Sequence, residues 1–321
     1  MSTDSDHAGS AEDGDAKDWI EPPPGTADLP RLSPSALNRF LGCEYRTHLD
    51  ILERRGELGE ERRPPRLNLL FERGERHEDA VVEGLKAEGL DVLSLDDPEA
   101  SVEQRAHRTV EAMREGRDVL HQACFANGEW VGYPDFLIRV KEPSDLGPWS
   151  YEVHDAKMGR HARPSHVFQL LFYTDELERI QGVRPERMHL MLGDGERPEL
   201  APSDFEAYSA VVRDAFTARY AQLAAGDDPV YPYPVAACQF CHWWHVCERK
   251  RRDDDHLSLV ANLHRAQGLK LERAGVRTLP ALAAVDHATP IPRMPADTSS
   301  SCAMSNGAKS VTGMPRRWRR W

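Results

Sequence analysis

The centre of the chain reads Gly132-Tyr-Pro-Asp135, then Glu152-Val-His-Asp155-Ala-Lys157, then Gln169-Leu-Leu-Phe-Tyr173. The first two segments end apolar runs that predict strands, and residues two apart on a strand point to the same face. Asp155 and Lys157 therefore share a face, and Asp135 can reach them from the neighbouring strand. Two carboxylates and a lysine that converge at strand ends can hold a divalent cation and activate a water molecule. Hydrolysis of a phosphodiester requires this chemistry.

Composition excludes a membrane protein and a disulfide scaffold. The 321 residues suffice for one large domain or two small ones, and 40% are hydrophobic and 29% charged. No apolar run approaches the roughly 20 residues of a membrane span. The acidic start of the chain lacks a signal peptide, so we expect a cytoplasmic protein. Six cysteines in such a chain are more typical of metal ligands than of disulfides.

The net charge of −12 argues at first against a nucleic-acid partner. Basic residues nevertheless cluster at Arg54-Arg55, at Arg62, Arg63 and Arg66, and at Arg249–Arg252. Such clusters can contact phosphates even in an acidic protein. Solvated charge on exposed helix faces is the simpler interpretation of any one cluster, so the net charge does not decide between the two.

The predicted elements are helices, a short sheet, a helix, a strand, a helix and a cysteine module. A first helix follows Ser33-Pro34 with apolar positions up to Leu52, a second spans about 67–88, and a third starts at Pro98. Strands are predicted at 119–126 and 130–140 around an Asn127-Gly128 turn, at 151–157 and at 187–192. Further helices are predicted at 164–180 and from a capping box at 203–206 to about 226.

Composition divides the chain into four parts. Residues 1–30 are predicted to be a disordered acidic leader, 31–252 the catalytic domain, 253–287 a small helical segment and 288–321 a disordered tail. The segment 253–287 resembles a helix-hairpin-helix unit, which binds nucleic-acid backbones. Only Gly275 stands where such units usually have two hairpin glycines. A helical cap that packs against the cysteine module is an equally good interpretation.

The order of the motifs resembles the RecB-like branch of the PD-(D/E)xK nucleases. In that branch a helix histidine, a Gly-x-x-Asp, an (Asp/Glu)-x-Lys and a Gln-x-x-x-Tyr follow one another. Here they are His77, Gly132–Asp135, Asp155–Lys157 and Gln169–Tyr173. The resemblance covers about residues 33–250 and implies an α/β, restriction-endonuclease-like core, a short mixed sheet flanked by helices. It also implies a DNA nuclease, and an exonuclease acting on single strands or ends fits the branch best.

The resemblance implies the metal ligands of this site. Asp135, Asp155 and the carbonyl of Ala156 would bind Mg²⁺ or Mn²⁺, and His77 would add a nitrogen ligand. Glu152 and His154 fall on the opposite face of the strand by alternation, so we do not expect them in the site.

The resemblance also implies roles for three residues around the metal. Lys157 would orient or help deprotonate the attacking water and offset charge on the phosphate. Gln169 and Tyr173, one helical turn apart, would orient Lys157 or hold the nucleic-acid backbone.

A second cluster is Cys238-x2-Cys241-x5-Cys247, whose three thiols need a fourth ligand. The candidates are Cys43, Cys124, Cys302, His242 and His245. Cys124 fits a buried strand position, and Cys302 lies in the predicted tail. Four thiolates suit either a 4Fe–4S cluster or structural zinc.

A distant Cys43 combined with this C-terminal group resembles the iron–sulfur nucleases of the AddB type and the CRISPR adaptation exonucleases. That resemblance implies a structural 4Fe–4S cluster that joins the two ends of the domain. Such nucleases are commonly fused to helicase or further nuclease domains, so we expect such a partner and a role in DNA repair or recombination. The alternative is a catalytically inactive iron–sulfur or zinc module that binds nucleic acid for a partner helicase.

Overall fold

A computed structural model describes residues 31–59 and 64–285. The helices are α1 (Pro34–Gly42), α2 (Glu44–Arg54), α3 (Pro65–Ala87), α4 (Val102–Arg114), α5 (Pro164–Gln181), α6 (Glu206–Ala224), α7 (Trp244–Asp253), α8 (Arg265–Arg273) and α9 (Leu279–Ala283). The strands are β1 (Val92–Ser94), β2 (Val119–His121), β3 (Phe125–Ala126), β4 (Val131–Gly132), β5 (Phe136–Val140), β6 (Ser150–Lys157), β7 (Met188–Leu192) and β8 (Glu199–Leu200). The predicted leader 1–30 and tail 288–321 lie outside the described residues.

A six-stranded mixed sheet forms the centre of the fold, in the order β1-β2-β5-β6-β7-β8. Strand β6 runs antiparallel to β5 and parallel to β7. The parallel pair requires a crossover, which α5 supplies, whereas a loop suffices between β5 and β6. This arrangement confirms the predicted α/β class with a short mixed sheet flanked by helices. Among the described residues, no helix is both long and apolar enough to cross a membrane.

The two faces of the sheet are covered by different helices. Tyr151 and Val153 of β6 pack in the same buried cluster as the apolar residues of α5. On the other face, Leu85 of α3 packs with Phe136 and Met191. Helix α5 is buried on most of its surface because it lies between the sheet and α6. Strand β6 therefore presents successive residues to two separate environments.

The predicted first helix is two helices, which corrects the sequence-based expectation. Cys43 has extended backbone angles, φ −168° and ψ 106°, and it ends α1 and precedes α2. The turn at Cys43 sends Phe40 toward Phe216 of α6, while Tyr45 packs in a separate cluster with Trp243. Helical spacing could not reveal the break, because the apolar positions of both helices continue one periodic pattern.

Each of the two strands predicted for the hairpin is in fact two shorter strands, and these belong to different sheets. Strands β3 and β4 pair around Asn127-Gly128 as predicted, whereas β2 and β5 pair within the main sheet. Gln122, with a φ of 55°, lies between β2 and β3 where the chain turns out of the main sheet. The short strands β1 and β8 escaped prediction because two or three residues carry too little alternation to be recognised.

Two helix starts differ from the prediction for reasons of capping. Helix α4 begins after Ser101 rather than at Pro98, because Ser101 and Gln104 form a reciprocal capping box. The capping box predicted at 203–206 is a 3₁₀ turn, Pro202–Asp204, followed by α6.

The segment after α7 folds as two short helices, α8 and α9, around Gly275. Glu272 of α8 lies 3.1 Å from His256 Nε2 and accepts a hydrogen bond from the Tyr233 hydroxyl. The ring of His256 stacks on Tyr231 at a centroid distance of 4.0 Å. These contacts are the ones that a helical cap makes. Nucleic-acid binding by this segment stays a prediction.

Gly132 offers a test of how closely the β4 region packs on α5. A Cβ at this position would lie 2.6 Å from Phe172 Cε1 and 2.7 Å from Tyr173 Cε1, both in the buried core. We therefore expect Gly132→Ala to lower the free energy of unfolding by about 1–3 kcal/mol in urea denaturation. At Gly74 on α3 a Cβ would meet nothing within 4 Å. Gly74→Ala should stabilise the protein by roughly 0.5–1 kcal/mol, and equal effects of the two changes would contradict this packing.

Candidate active site

Asp135 and Asp155 meet because β5 begins where β6 ends. The antiparallel register pairs Phe136 with His154, so the residue before Phe136 lies beside the residue after His154. Asp135 Oδ2 accepts a hydrogen bond of 2.8 Å from the Ala156 amide. Asp155 is completely buried, and within the described residues neither of its carboxylate oxygens accepts a directed hydrogen bond.

Lys157 supplies positive charge to this pair. Its Nζ lies 2.5 Å from Asp155 Oδ2 and 3.7 Å from Asp135 Oδ2. Burial alone lowers the pKa of Lys157, but the two carboxylates outweigh burial and hold the pKa above its ordinary value. Lys157 is therefore a cation at neutral pH, and it is suited to donate hydrogen bonds and attract phosphate rather than to accept a proton.

Asp135 carries the electrostatic strain of the site. Burial first, and then the charges of Asp155 and Glu78, raise the pKa of Asp135 well above its ordinary value, although Lys157 acts against them. The negative charge of the two carboxylates is therefore larger than the positive charge of the one lysine beside them. A divalent cation would remove this excess, and carboxylate and carbonyl oxygens are the ligands that Mg²⁺ prefers. The residues present fit such an ion.

Helix α3 brings His77 to the same edge of the sheet. His77 Nε2 lies 3.1 Å from the carbonyl oxygen of Met191, which pairs with Ala156 across β6 and β7. Among the described residues, the ligand atoms of His77, Asp135 and Asp155 do not form a group within 4.8 Å of one another. The structure thus brings Asp135, Asp155 and Lys157 together, whereas His77 contacts β7 at Met191, the residue opposite Ala156.

Glu78 is a residue of the site that the sequence analysis misses. Its Oε1 lies 2.7 Å from His121 Nε2 and accepts a hydrogen bond from the Gln122 amide. Burial alone would raise the pKa of Glu78, but these two contacts lower it below its ordinary value. Its charge in turn raises the pKa of Asp135. The sequence could not single it out, because α3 carries several acids: Glu72, Glu75, Glu78, Asp79 and Glu83.

Gln169 and Tyr173 of α5 are linked by hydrogen bonds to the backbone segment that precedes β5. Gln169 Nε2 donates to the Tyr173 hydroxyl at 3.1 Å, and this hydroxyl donates to the carbonyl oxygen of Tyr133 at 2.8 Å. Burial, and after it the charge of Asp155, raise the pKa of Tyr173 well above its ordinary value, so it remains a phenol. Both side chains therefore hold the backbone just ahead of Asp135, as positioning residues do.

His166, in the first turn of α5, is a second residue that the sequence analysis misses. Burial, and after it the positive charge of Lys157, lower the pKa of His166 to about 4, so the ring is neutral at pH 7. Its Nδ1 lies 3.3 Å from the Arg163 amide nitrogen. The charges of Lys157 and Asp155 both act on this imidazole, and no periodic pattern in the sequence reveals that relation.

The four predicted cysteines form a separate cluster. Cys43, Cys238, Cys241 and Cys247 all line one cavity of about 290 Å³. Burial raises the pKa of the Cys43 and Cys241 thiols, and burial together with Cys241 raises that of Cys247 to about 12. Buried thiolates need a cation to become stable, so this donor set fits a thiophilic metal centre.

The other candidates for a fourth ligand are engaged elsewhere. Cys124 is 2% exposed, and its Sγ lies 3.7 Å from the carbonyl oxygen of Val102, so it is buried as predicted, although it lies between β2 and β3 rather than in a strand. The His242 ring lies 3.3 Å from Arg46 Nη2 and 3.5 Å from Asp50 Oδ1. His245 Nδ1 lies 3.1 Å from the carbonyl oxygen of His242. Cys302 falls outside the described residues.

Protein contacts also join the first helices to the cysteine module. Trp243 Nε1 donates to Asp50 Oδ1 at 2.7 Å, and Arg39 Nε donates to Asp50 Oδ2 at 3.1 Å. Trp243 is almost completely buried and packs with Tyr45 and Leu49 of α2. The two ends of the domain are therefore in contact through side chains as well as through the cysteine cavity.

The basic clusters noted in the sequence make contacts within the chain. Arg55 donates to the carbonyl oxygen of Ala224, and Arg251 Nη1 donates to that of Pro232 at 2.9 Å. Arg252 pairs with Glu248 at 2.7 Å. These contacts agree with the simpler interpretation of surface charge. Arg62, Arg63 and the side chain of Arg66 lie outside the part of the chain that the structure describes.

We expect Asp135→Asn to stabilise the metal-free protein. The raised pKa of Asp135 means that it ionises less readily in the folded chain, so its stabilising contribution is present at acidic pH and is lost as the pH rises. An amide removes the repulsion with Asp155 and can still accept the Ala156 hydrogen bond. The free energy of unfolding in EDTA at pH 7 should rise by roughly 1–2 kcal/mol, and the gain should shrink near pH 4.

Thermal unfolding at the two pH values measures this gain, with the exposed Asp214→Asn on α6 as the control that should change little. A stability at pH 7 no higher than that of the wild type would show that Asp135 is not under electrostatic strain.

Comparison with known sequences adds a finding to this geometry. The sequence profile of the PD-(D/E)XK nuclease superfamily matches residues 31–248. The match covers more than half of the 321 residues and includes both carboxylates, Lys157 and the cysteine module. A search among curated proteins gave no match. Because the matched region carries the carboxylate–lysine site as well as the mixed sheet, the chain belongs to the PD-(D/E)XK superfamily of metal-dependent nucleases.

Proposed function

We propose that the chain is a RecB-like DNA exonuclease that acts on single strands or strand ends. The observation that carries this proposal is the pair formed by the buried Asp155 and the half-buried Asp135, with Lys157 between them, where β5 begins and β6 ends. Mg²⁺ or Mn²⁺, held by the two carboxylates and the Ala156 carbonyl with His77 nearby, would supply an activated water and neutralise phosphate charge.

The chain's own residues divide the remaining work. Lys157, as a cation, donates hydrogen bonds to the attacking water or to a phosphate oxygen and stabilises the charge that develops there. Gln169 and Tyr173 hold the Tyr133 backbone and thereby the position of Asp135. Glu78 keeps the negative charge of the site high, which favours uptake of a cation.

The finer features of the proposal come from the resemblance of the motifs. DNA as the substrate, exonuclease action, a helicase or nuclease partner and a role in repair or recombination are proposed on that ground. A second candidate function is a catalytically inactive module that binds nucleic acid for a partner helicase. The clustered cysteines support it as well as the first, so a cleavage assay has to separate the two.

We expect Lys157→Ala to lower the Mn²⁺-dependent cleavage of end-labelled single-stranded DNA by at least about 100-fold. The change removes the cation that faces both carboxylates, whereas Lys86→Ala removes an exposed lysine paired with Glu83 at 3.0 Å and should cleave like the wild type. Thermal unfolding in Mn²⁺ shows whether a loss reflects unfolding. Full activity of Lys157→Ala would remove the lysine from the mechanism. An inert wild type, purified anaerobically, would favour the binding module.

We propose further that the four cysteines hold a structural 4Fe–4S cluster. All four line one cavity, and among the described residues no three of their sulfur atoms lie within 4.8 Å of one another. Tetrahedral zinc with bonds of about 2.3 Å would hold the sulfur atoms only about 3.8 Å apart, so the wider spacing favours a larger group. Zinc remains the alternative. Either centre would join α2 to the module that contains α7.

We expect Cys43→Ser to reduce bound iron and sulfide in anaerobically purified protein and to lower the melting temperature by roughly 5–10 °C. Cys124→Ser is the matched control, because Cys124 lies away from the cavity and should leave the iron content unchanged. Stoichiometric zinc without iron in the wild type would overturn the cluster. An unchanged iron content in Cys43→Ser would show that Cys43 is not a ligand. His242 and His245 would then be the candidates for the fourth ligand.

A further inference from the structure

A second group of metal-ligating side chains lies on the sheet face opposite the nuclease site. Glu152 and His154 project from β6 on the face away from Asp155, and His189 projects beside them from β7. Within residues 31–59 and 64–285, these three are the only group whose ligand atoms all lie within 4.8 Å of one another. Alternation along β6 places Glu152 and His154 on the face away from Asp155, and the structure joins them to His189 on β7.

Strand register brings the three side chains together. The parallel pairing of β6 and β7 places His154 directly opposite His189, and their rings stack with centroids 4.0 Å apart and planes 5° apart. Glu152 precedes His154 by two residues and shares its face. Its Oε2 lies 2.7 Å from His189 Nε2.

The group is shielded from solvent, although it is polar. The side chains of His189 and Glu152 are only 11% and 16% exposed. Arg197, a basic residue whose charge acts on His154, is itself paired with Glu88 at 3.3 Å. Burial of polar groups is unfavourable unless each has a partner. His189 and Glu152 satisfy one another, whereas the contact of His154 with this pair is a ring stack rather than a hydrogen bond.

We propose that Glu152, His154 and His189 bind one transition-metal ion, for which Zn²⁺ is the best candidate. Two imidazoles and a carboxylate form a ligand set of zinc sites that have three protein ligands. Imidazole nitrogen suits zinc and disfavours Mg²⁺ and Ca²⁺, so this site differs in chemistry from the oxygen site around Asp135 and Asp155. The ion would replace the proton shared by His189 and Glu152, and that proton would pass to solvent.

Zinc at this place would act as a clamp between two strands. It would link β6 to β7 directly behind Asp155, because His154 is the preceding residue. The rings now lie in parallel planes 4.0 Å apart at their centroids, so each must tilt by roughly tens of degrees before the in-plane lone pairs of both nitrogens point at one ion. The ion would therefore stabilise the pairing of the two strands on which the nuclease site depends. The proposal does not require that the protein cleaves DNA, so it can fail or succeed independently of the proposed function.

Equilibrium dialysis of the full chain against Zn²⁺, in excess Mg²⁺ and with the cysteine metal left in place, tests the proposal. Excess magnesium would fill a site of oxygen ligands but would not compete for imidazole. The wild type should take up one zinc more per chain than Glu152→Gln or His189→Ala, whose zinc affinity should fall by at least about 100-fold. Glu152→Gln retains the shape of the side chain and an acceptor for His189, so it separates loss of a ligand from loss of the fold.

His107→Ala is the matched control, since it removes an exposed histidine paired with Glu111 at 3.4 Å and should bind zinc like the wild type. Cobalt added in place of zinc should give d–d absorption without a sulfur-to-metal charge-transfer band, which distinguishes this site from the cysteines. Zinc should also raise the melting temperature of the wild type but not that of Glu152→Gln. Equal zinc uptake by the wild type and both variants, or none by the wild type, would overturn the proposal.

Discussion

The close approach of two carboxylates, the buried Asp155 and the half-buried Asp135, is the constraint on which the rest of the structure depends. Charges of one sign in a place that water hardly reaches repel strongly, and Lys157 compensates only part of this repulsion. The strands that carry them must therefore be held in register by something other than the site. The apolar clusters on the two faces of the sheet supply that force.

The residues around the carboxylates restrain the backbone more than they touch the place where chemistry would occur. Tyr173 bonds the Tyr133 carbonyl just ahead of Asp135, and the Ala156 amide bonds Asp135 itself. The carboxylate of Glu78 contacts the ring of His121, the last residue of β2, and the side-chain amide of the next residue, Gln122. A metal site built in this way would be formed before an ion binds, because the free energy of folding already opposes the charge repulsion.

The ends of the domain meet at a second polar centre. Asp50 accepts hydrogen bonds from Trp243 and Arg39, and the four cysteines surround a cavity beside it. Cys43 lies far along the chain from the other three cysteines, so a centre that joined all four would close a long loop. A cross-link that closes a long loop restricts the unfolded chain more than one that closes a short loop. The carboxylate–lysine group and the cysteine cavity thus lie on different parts of one fold, and α5, whose Ser165 also lines the cavity, follows the strand that carries Asp155.

Local periodicity predicts much of this protein. Alternation places Asp155 and Lys157 on one face of β6 and Glu152 and His154 on the other, and helical spacing locates α3 and α5 to within a few residues. The order of the motifs leads to the nuclease superfamily, which the sequence comparison shows. These features follow from the chain alone because each depends on residues that are near neighbours along it.

Other features come only from the tertiary structure. They are the break at Cys43, the effect of the Glu78 charge on Asp135 and the stack of His154 on His189. Each depends on which strand pairs with which, and in what register, and on where a crossover helix returns the chain. Periods of 2 and 3.6 residues determine the face of a strand or helix on which a side chain lies, but they do not determine which residue of another element it contacts. Packing of the whole core determines those neighbours, and it therefore determines which polar side chains meet around Asp135 and around His189.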